Sequence, residues 1–387
     1  MVSKRISRTL VLVVTVFVLL CFAATGFYFG LSYVLSQNAR FARLDAQFSQ
    51  SETGGIINKD TPGAVELFIP RAADTQQIAE LLKENNVIEN TFMFTLLSKF
   101  NGFDSSYMAG THFVTATMSY DEIMYVLSQK PHSVQVTFPE GLSYKDVKAK
   151  LRAAGVNFDE TVMDNMVRNP QLFLDYDFVT EIEKNEGRDW LLQGYLYPDT
   201  YEFDINTDEE TIIRTFLNNT EKKLVTEYKE RAAKIGMSID QVITLASIIQ
   251  NECSNGSEML TVSGVFRNRL KKEMPLESCA TINYLRKEAG QDIVLWTNEN
   301  DKTYDSPYNT YNHAGLPPGP ICSPGDDAIR AALWPETHKH LFFCAKGDGT
   351  NVFADTEAEQ QKNVEKYRKL AESGQTEATE ASNDNAG

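Results

Sequence analysis

The sequence lacks the short motifs on which metal, nucleotide and serine-hydrolase chemistry depend. Its five cysteines and five histidines include no Cys-x-x-Cys pair and no Cys/His cluster at metal-ligand spacing, so we predict no metal site. It also has no glycine-rich phosphate loop and no Gly-x-Ser-x-Gly motif, which leaves nucleotide binding and serine hydrolysis without support. These absences predict a protein that works without a cofactor.

Positive charge is also scarce. The 387 residues contain 37 Lys and Arg against 53 Asp and Glu, which gives a net charge of −16. Because nucleic acids and anionic membrane surfaces are themselves negative, they would repel this chain. The composition therefore predicts a neutral or mixed-charge substrate and argues against nucleic acid as a partner.

One long hydrophobic run lies close to the N-terminus. Residues 10–34 are almost entirely apolar, about long enough to cross a bilayer. Lys4, Arg5 and Arg8 precede the run, and positive charges flanking a span favour the cytoplasmic side. We predict a single-pass cell-membrane anchor, with residues 1–9 in the cytoplasm and the rest of the chain outside. A cleaved signal peptide is the alternative, but the run is longer than the usual hydrophobic region of one.

The cysteines divide accordingly between the membrane and the exterior. Cys21 falls within the predicted anchor, and the external cysteines are Cys253, Cys279, Cys322 and Cys344. Four cysteines permit three pairings, and the sequence does not choose among them.

The remainder of the chain has the pattern of an α+β protein with two folded parts. A polar linker is predicted over residues 35–63. Short strands and helices alternate over residues 64–131, which predicts a small α+β module, and a larger α+β domain follows over residues 132–371. Within that domain Thr207–Ile235 is predicted as one long charged helix. Residues 372–387 are acidic and rich in Ser and Thr, so we predict a disordered tail.

The stretch from Ser238 to Glu252 predicts a buried helix that ends in a carboxylate. Ser238 with Gln241 three residues later is a capping-box signal. The same helix face carries the apolar residues Val242, Leu245, Ala246 and Ile249. Continuing that face by another turn reaches Glu252, whose side chain therefore points inward.

Glu252 has the features of a general acid. We expect it in the last turn, near the negative end of the helix dipole and beside apolar neighbours, and both effects raise the pKa of a carboxyl. A carboxyl that stays protonated near neutral pH can protonate a leaving-group oxygen. The alternative is a structural glutamate that pairs with Arg267 or Arg269 on the following helix.

Four sequence blocks complete the pattern around this helix. In chain order they are Gly194–Phe203, Leu245–Glu252, Gly264–Leu270, and the paired loops Ser306–Tyr311 and Gly315–Pro320. Together they resemble the endolytic murein transglycosylases, the MltG/YceG-like family of cell-wall enzymes. The resemblance covers most of the chain, from about Val65 to Tyr367.

The resemblance implies a LysM-like module over residues 64–131 and a transglycosylase catalytic domain over residues 132–371. It implies that Glu252 first protonates the glycosidic oxygen between MurNAc and GlcNAc. The same group, now a base, then accepts the proton of the MurNAc C6 hydroxyl, which closes a 1,6-anhydro ring. It also implies substrate binding by residues in or beside the blocks, namely Tyr195, Asn268, Arg269, Thr281, Tyr284, Tyr308, Asn309, Thr310 and Tyr311.

The implied function is that of a membrane-anchored enzyme that cuts nascent peptidoglycan strands and limits their length. Its implied partners are penicillin-binding proteins and the elongation or division machinery. A catalytically weakened scaffold that binds glycan or synthases is the alternative, because the chain departs from the family pattern at Gln193, Gln250, Cys279, Ala280, Asn351 and Gln360. A hydrolysing muramidase would need a second carboxylate, for which Asp305 is the candidate.

Overall fold

The computed structural model describes residues 2–49, 57–59, 61–253, 256–294 and 297–373. Helices predominate within these ranges, and three two-stranded sheets accompany them. The predicted α+β class is therefore confirmed. The predicted tail from residue 374 onward and the parts of the predicted linker at residues 50–56 and 60 lie outside the described residues.

The first helix, α1, spans Val2–Ser49. Its stretch Leu10–Ser32 is long and apolar enough to cross a membrane, which fits the predicted anchor. The helix continues into the segment predicted as a linker. Because no glycine or proline lies between Leu31 and Ser49, nothing in that stretch ends the helix.

The chain divides into two compact units, of which the first comprises Met1–Ser133 with Asp204–Asn206. Strand β1, Ala64–Ile69, pairs antiparallel with β2, Gly110–Thr115. The helices that follow α1 in this unit are α2 (Thr75–Glu84), α3 (Thr91–Phe100) and α4 (Tyr120–Leu127). They enclose an apolar core that includes Leu67, Ile78, Leu82, Phe94 and Ile123. The LysM-like identity of this module stays a prediction.

The second unit comprises Val134–Phe203 with Thr207–Gly387. Its strand pairs are β3 (Ser133–Thr137) with β4 (Thr200–Asp204), and β5 (Phe342–Ala345) with β6 (Asn351–Ala354). Its helices are α5 (Tyr144–Ala153), α6 (Glu160–Arg168), α7 (Asp177–Thr180), α8 (Glu209–Lys223), α9 (Thr226–Lys234), α10 (Ile239–Glu252), α11 (Met259–Lys271), α12 (Cys279–Glu288), α13 (Glu299–Lys302), α14 (Asp326–Leu333) and α15 (Glu357–Ser373). The predicted domain limits stay predictions.

Helix α10 lies at the centre of the second unit. Every residue from Val242 to Ile249 is buried, so the helix is enclosed on all sides and not only on the predicted face. It packs against α9, α11, α12 and α14. The predicted capping box is confirmed, because the Ser238 hydroxyl accepts the Gln241 N–H at 3.1 Å and the Gln241 side chain accepts the Ser238 N–H at 3.2 Å.

The long helix predicted over Thr207–Ile235 is wrong, because the chain forms two helices there, α8 and α9. The break falls at Leu224, which leaves the helical conformation, and at Val225, which is extended. Leu224 is buried in the core of the unit. Neither residue is a helix breaker, so the tertiary burial of Leu224 decides the break and local propensity does not.

Gly194 shows how two of the sequence blocks fit together. Its φ is +90°, and a Cβ added there would lie 2.5 Å from the Pro320 Cβ. The buried Gln193 next to it donates from its amide to the Pro320 carbonyl at 2.8 Å and accepts the Tyr144 N–H at 3.1 Å. The two blocks therefore pack directly on one another, at a distance that only glycine permits.

We expect Gly194→Ala to destabilise the second unit more than Gly315→Ala does. Gly315 has a similar φ of +91°, but no atom lies within 4 Å of an added Cβ. Both changes strain the backbone by roughly 1 kcal/mol, and Gly194→Ala adds about 1–2 kcal/mol of steric overlap. Urea unfolding followed by tryptophan fluorescence measures the difference. Equal losses of unfolding free energy would contradict the packing of the two blocks.

Candidate functional site

Glu252 is the last residue of α10, as the sequence predicts, and its side chain is part-buried. Its Oε1 accepts the Ser278 hydroxyl and the Ala280 backbone N–H, the latter at 2.9 Å. Ser278 and Ala280 lie at the N-terminus of α12. The carboxyl group therefore lies where the C-terminal end of one helix meets the N-terminal end of another.

Two opposing effects act on the pKa of Glu252. Burial is the larger effect and raises the pKa above its ordinary value. The hydroxyl of Ser278 and the backbone N–H groups of Ala280 and Cys279 favour the ionised form and lower it again. The pKa remains raised, which favours the protonated form, while donors for the carboxylate are already in place.

The side chain of Ser278 forms an unusual hydrogen bond for a residue at the start of a helix. Serine at this position usually caps its own helix, but here its side chain makes no cap hydrogen bond. It donates to Glu252 instead, and the carboxylate of Glu252 accepts an N–H of the first turn of α12. A glutamate from another helix thus takes over the cap.

In the described residues, Glu252 does not form the alternative ion pair with Arg267 or Arg269. Arg269 is buried, and its guanidinium donates to the carbonyls of Leu341, Pro275 and Leu276 and to the Glu277 carboxylate. Arg267 donates to the Met237 thioether and the Ile235 carbonyl. Within these ranges Glu252 therefore has hydrogen-bond donors but no cation.

The loop Ser306–Tyr311 contacts Ser278 and positions it. The Thr310 hydroxyl accepts the Ser278 N–H at 3.0 Å, and the Thr281 and Thr310 hydroxyls are 2.9 Å apart. The Asn309 amide donates to three backbone carbonyls, those of Asp301, Lys302 and Tyr304. Thr281, Asn309 and Thr310 are at most 1% exposed. Thr310 thereby positions Ser278, and the expectation that these three residues contact sugar stays a prediction.

Among the other residues expected to bind substrate, four are also buried and Asn268 is half-buried; the four are Tyr195, Arg269, Tyr284 and Tyr308. The Tyr195 hydroxyl donates to Asp240 at 2.7 Å within the core. The Tyr284 and Tyr308 rings pack against each other with centroids 5.0 Å apart. The Asn268 amide donates to the carbonyls of His338 and His340. The Arg269 guanidinium donates to backbone carbonyls and to Glu277. Each of these polar groups and rings has a partner within the fold, and the expected sugar contacts at Tyr195, Asn268, Arg269, Tyr284 and Tyr308 stay predictions.

Tyr311 remains beside the carboxyl group with part of its surface exposed. Its hydroxyl lies 3.3 Å from the Cys279 sulfur and 3.4 Å from the Thr297 hydroxyl. Burial raises the pKa of both the Cys279 thiol and the Tyr311 phenol, and the charge of Glu252 adds to each shift. Both groups are therefore neutral at physiological pH and line the surroundings of Glu252.

The remaining chemical candidates do not assemble into a second centre. All five cysteines lie in the described residues, and none of them forms a disulfide. Within the same part of the chain, no group of three His, Cys, Asp or Glu residues could hold a metal ion.

Gln250, where the family pattern has an acid, accepts the Gly325 N–H at 2.9 Å.

The Ser278→Ala variant tests the electrostatics of the site. Because the hydroxyl of Ser278 lowers the pKa of Glu252, its removal raises that pKa further. If protonated Glu252 is the active form, the alkaline limb of the kcat/KM profile moves to higher pH. Ser263→Ala is the matched control, because its buried hydroxyl has no hydrogen-bond partner in the described chain. A limb that stays in place or moves to lower pH would contradict this assignment.

Comparisons with known proteins converge on one group. The model of the YceG-like family matches residues 67–366. The chain is similar to the endolytic murein transglycosylase of Bacillus subtilis (strain 168), with 33% identity over 323 residues, 80% of this chain and 87% of the relative. It is also similar to the endolytic murein transglycosylase of Streptococcus pneumoniae serotype 2 (strain D39 / NCTC 7466), with 26% identity over 378 residues, 92% of this chain and 65% of the relative.

A solved structure is similar over nearly its whole length. It is the crystal structure of a protein from Listeria monocytogenes described as YceG-like, with a TM-score of 0.54 and 27% sequence identity. The match covers 78% of this chain and 99% of that one.

Proposed function

Because the chain belongs to the YceG-like family, we propose that it is a membrane-anchored endolytic transglycosylase of peptidoglycan. The names of its relatives support an enzyme that acts on peptidoglycan. We propose further that it cuts the bond between MurNAc and GlcNAc in nascent strands. The cut leaves 1,6-anhydro-MurNAc ends and limits strand length.

Glu252 carries the proposed reaction alone. In the protonated state it donates its proton to the glycosidic oxygen as the bond to the leaving sugar breaks. As a carboxylate it then accepts the proton of the MurNAc C6 hydroxyl, whose oxygen attacks the anomeric carbon and closes the ring. No water is consumed, and the proton gained in the second step restores the acid. This route needs no second carboxylate, unlike hydrolysis by the usual pair.

The strongest support for the proposal is that the surroundings of Glu252 favour both of its protonation states. Burial favours the protonated carboxyl group that the first step needs. Ser278 and Ala280 donate hydrogen bonds that favour the carboxylate formed after it. A group that must serve as acid and then as base benefits from both, because neither state is strongly disfavoured.

The proposal extends to where the enzyme works. We propose that Leu10–Ser32 of α1 anchors the chain with its N-terminus in the cytoplasm, so that the chain beyond the anchor lies outside the cell. There the enzyme would meet strands as they are made, beside penicillin-binding proteins and the elongation or division machinery. Residues 64–131 would be the LysM-like module that holds the glycan.

Glycan chain-length analysis tests the endolytic function. The full chain in detergent is incubated with un-crosslinked strands, and the strand-length distribution is followed by size-exclusion chromatography. We expect the mean length to fall early while few disaccharides are released. Early release of disaccharides would contradict endolytic cutting. Unchanged lengths with strands still bound would favour the scaffold alternative instead.

A further inference from the structure

Three buried hydroxyl groups lie together behind the contact between Ser278 and Glu252. They belong to Ser278, Thr281 and Thr310, and none of these residues is more than 1% exposed. Thr281 lies in the first turn of α12, and Thr310 belongs to the loop Ser306–Tyr311. Because so little of their surface reaches solvent, their polar groups need hydrogen-bond partners within the protein.

Among the described residues, one arrangement of hydrogen bonds satisfies all three of these residues. The Ser278 N–H donates to the Thr310 hydroxyl at 3.0 Å, and the Thr281 hydroxyl donates to the Ser278 carbonyl at 2.8 Å. A threonine hydroxyl has one proton to donate, so Thr281 accepts in its 2.9 Å contact with Thr310. Thr310 is therefore the donor of that bond. The three bonds form a closed hydroxyl ring that begins at the Ser278 N–H and ends at the Ser278 carbonyl.

The hydroxyl ring occupies both backbone groups of Ser278 and leaves its side chain to Glu252. The Ser278 hydroxyl donates to Oε1 of Glu252, while all three bonds of the ring run in the same direction and strengthen one another. Within the described residues, the hydroxyls of Thr281 and Thr310 bond to Ser278 and to each other. Any effect of these two hydroxyls on Glu252 therefore passes through Ser278.

The residue before Ser278 has a strained backbone. Glu277 has a φ of +53°, in the left-handed region that residues other than glycine rarely adopt. Its N–H donates to the Thr310 carbonyl at 3.0 Å, and its carboxylate accepts a hydrogen bond from Arg269 at 2.9 Å. Such a conformation persists only where the surrounding structure holds it, and it is frequent at functional sites. This strain shows, independently of the hydroxyl ring, that the chain is held in place at Ser278.

We propose that Thr281 and Thr310 are positioning residues for Glu252, a proposal that rests on the proposed transglycosylase function. Their hydroxyl ring fixes the backbone of Ser278, so that the Ser278 hydroxyl stays aimed at Oε1 of Glu252 before and after proton transfer. The Ala280 N–H donates to the same oxygen. The proposal therefore places the transferable proton on the other oxygen, Oε2.

Glu252 is the group whose ionisation the hydroxyl ring affects. No charged side chain of the described residues is among the causes of its raised pKa. Burial raises the pKa of the Cys253 thiol to about 12, and it also raises the pKa of the Cys279 thiol and of the Tyr311 phenol. The charge of Glu258, at the start of α11, acts on Cys253. The two thiols and the phenol are neutral near pH 7, so a shift of the alkaline limb caused by a change in the ring reports on Glu252.

Thr310→Val tests the hydroxyl ring by removing one hydroxyl at nearly constant volume. We expect the alkaline limb of the kcat/KM profile to move to higher pH, because the Ser278 hydroxyl is no longer held towards the carboxylate. Thr310→Ser keeps the hydroxyl and should keep the wild-type profile. Thr220→Val is the matched control, since its buried hydroxyl bonds to the carbonyls of Tyr195 and Phe216. A Thr310→Val profile identical to that of wild type would overturn the proposal.

The double variant Ser278→Ala/Thr310→Val separates positioning from a direct effect on Glu252. If Thr310 acts through Ser278, the two changes are not additive, and the limb of the double variant lies where Ser278→Ala alone places it. A further shift in the double variant would show a path that bypasses Ser278 and would overturn the proposal. Thr281→Val breaks the ring at another bond and replaces Thr310→Val if that variant does not fold.

Carbon-13 NMR of the full chain in detergent separates this proposal from the proposed function. Glutamate is labelled at its side-chain carboxyl carbon, and the signal of Glu252 is the one that Glu252→Gln lacks. A higher pKa of Glu252 in Thr310→Val but not in Thr310→Ser, without strand cleavage at any pH, would support the hydroxyl ring and contradict the function. Strand cleavage by Thr310→Val with an unchanged titration of Glu252 would overturn the proposal and leave the function intact.

Discussion

Replacing Glu252 with glutamine will lower kcat for strand cleavage by at least about a hundredfold, the usual contribution of a general acid or base. Glutamine has almost the same shape and can still accept the Ala280 N–H that Glu252 accepts at 2.9 Å. It has no proton to donate to the glycosidic oxygen and cannot take one from the C6 hydroxyl. In the proposed mechanism one group serves both steps, so no second carboxylate would compensate.

Glu258→Gln is the matched control for that experiment. Glu258 is the nearest other glutamate in the sequence, but its carboxylate is bound by the backbone and the side-chain amide of Asn351, the latter at 2.8 Å. We expect this variant to retain cleavage. Loss of activity in Glu258→Gln with retention in Glu252→Gln would reverse the assignment.

The stability of Glu252→Gln provides an independent readout. Burial raises the pKa of Glu252 in the folded protein above its value in the unfolded chain. For an acid shifted in this direction, stability falls as pH rises from the unfolded pKa to the folded pKa. At pH 7 the variant should therefore be at least as stable as wild type, and the difference should shrink at acidic pH. A variant that is less stable at pH 7 would show that Glu252 is chiefly a structural cap.

Asp240→Asn will lower the free energy of unfolding of the second unit by about 3–5 kcal/mol, the usual effect of removing one partner of a buried ion pair. The carboxylate of Asp240 accepts two hydrogen bonds from Arg188, at 2.6 and 3.1 Å, and one from the Tyr195 hydroxyl at 2.7 Å. The Arg188 side chain is 0% exposed and that of Asp240 is 2% exposed. Asparagine leaves the guanidinium charge buried without a counter-charge.

Asp175→Asn is the control for the ion pair. Asp175 pairs with Arg214 at 2.8 Å, but its side chain is 61% exposed, and exposed pairs contribute at most about 1 kcal/mol. Chemical unfolding of both variants, followed by tryptophan fluorescence, compares them directly. Similar losses in the two variants would show that the Arg188–Asp240 pair does not stabilise the core as its burial implies.

Helix α10 could be predicted from the sequence because its signals are local. The capping box at Ser238 and the apolar spacing from Val242 to Ile249 lie within one segment, and the structure has both. The hairpin of β5 and β6 is similar, since its strands and the glycine-rich turn between them are adjacent in the chain.

The partners of Glu252 could not be predicted, because they are distant in sequence. Ser278 and Ala280 lie 26 and 28 residues beyond it, and no local pattern connects a helix end to the start of a later helix. The one local signal is that residue 278 is a serine, a residue type that often caps a helix. The same limitation explains the helix break at Leu224, which depends on burial against other elements.

The expected sugar-binding residues illustrate a second limit. Hydroxyl, amide and aromatic groups in rigid loops suit both a glycan groove and a tightly bonded core. Residue type does not separate the two possibilities, so the sugar contacts stay predictions, although the residues differ in burial. Thr281, Asn309 and Thr310 are at most 1% exposed, whereas Tyr311 keeps part of its surface beside Glu252.

Mass spectrometry of the products of strand cleavage in water enriched in oxygen-18 tests ring closure by Glu252 most directly. Wild-type protein and Glu252→Gln are incubated side by side with un-crosslinked strands. We expect 1,6-anhydro-MurNAc ends without oxygen-18 from wild type and no such ends from the variant. Reducing ends that carry oxygen-18 would show that water attacks the sugar, and would contradict ring closure by a single carboxyl group.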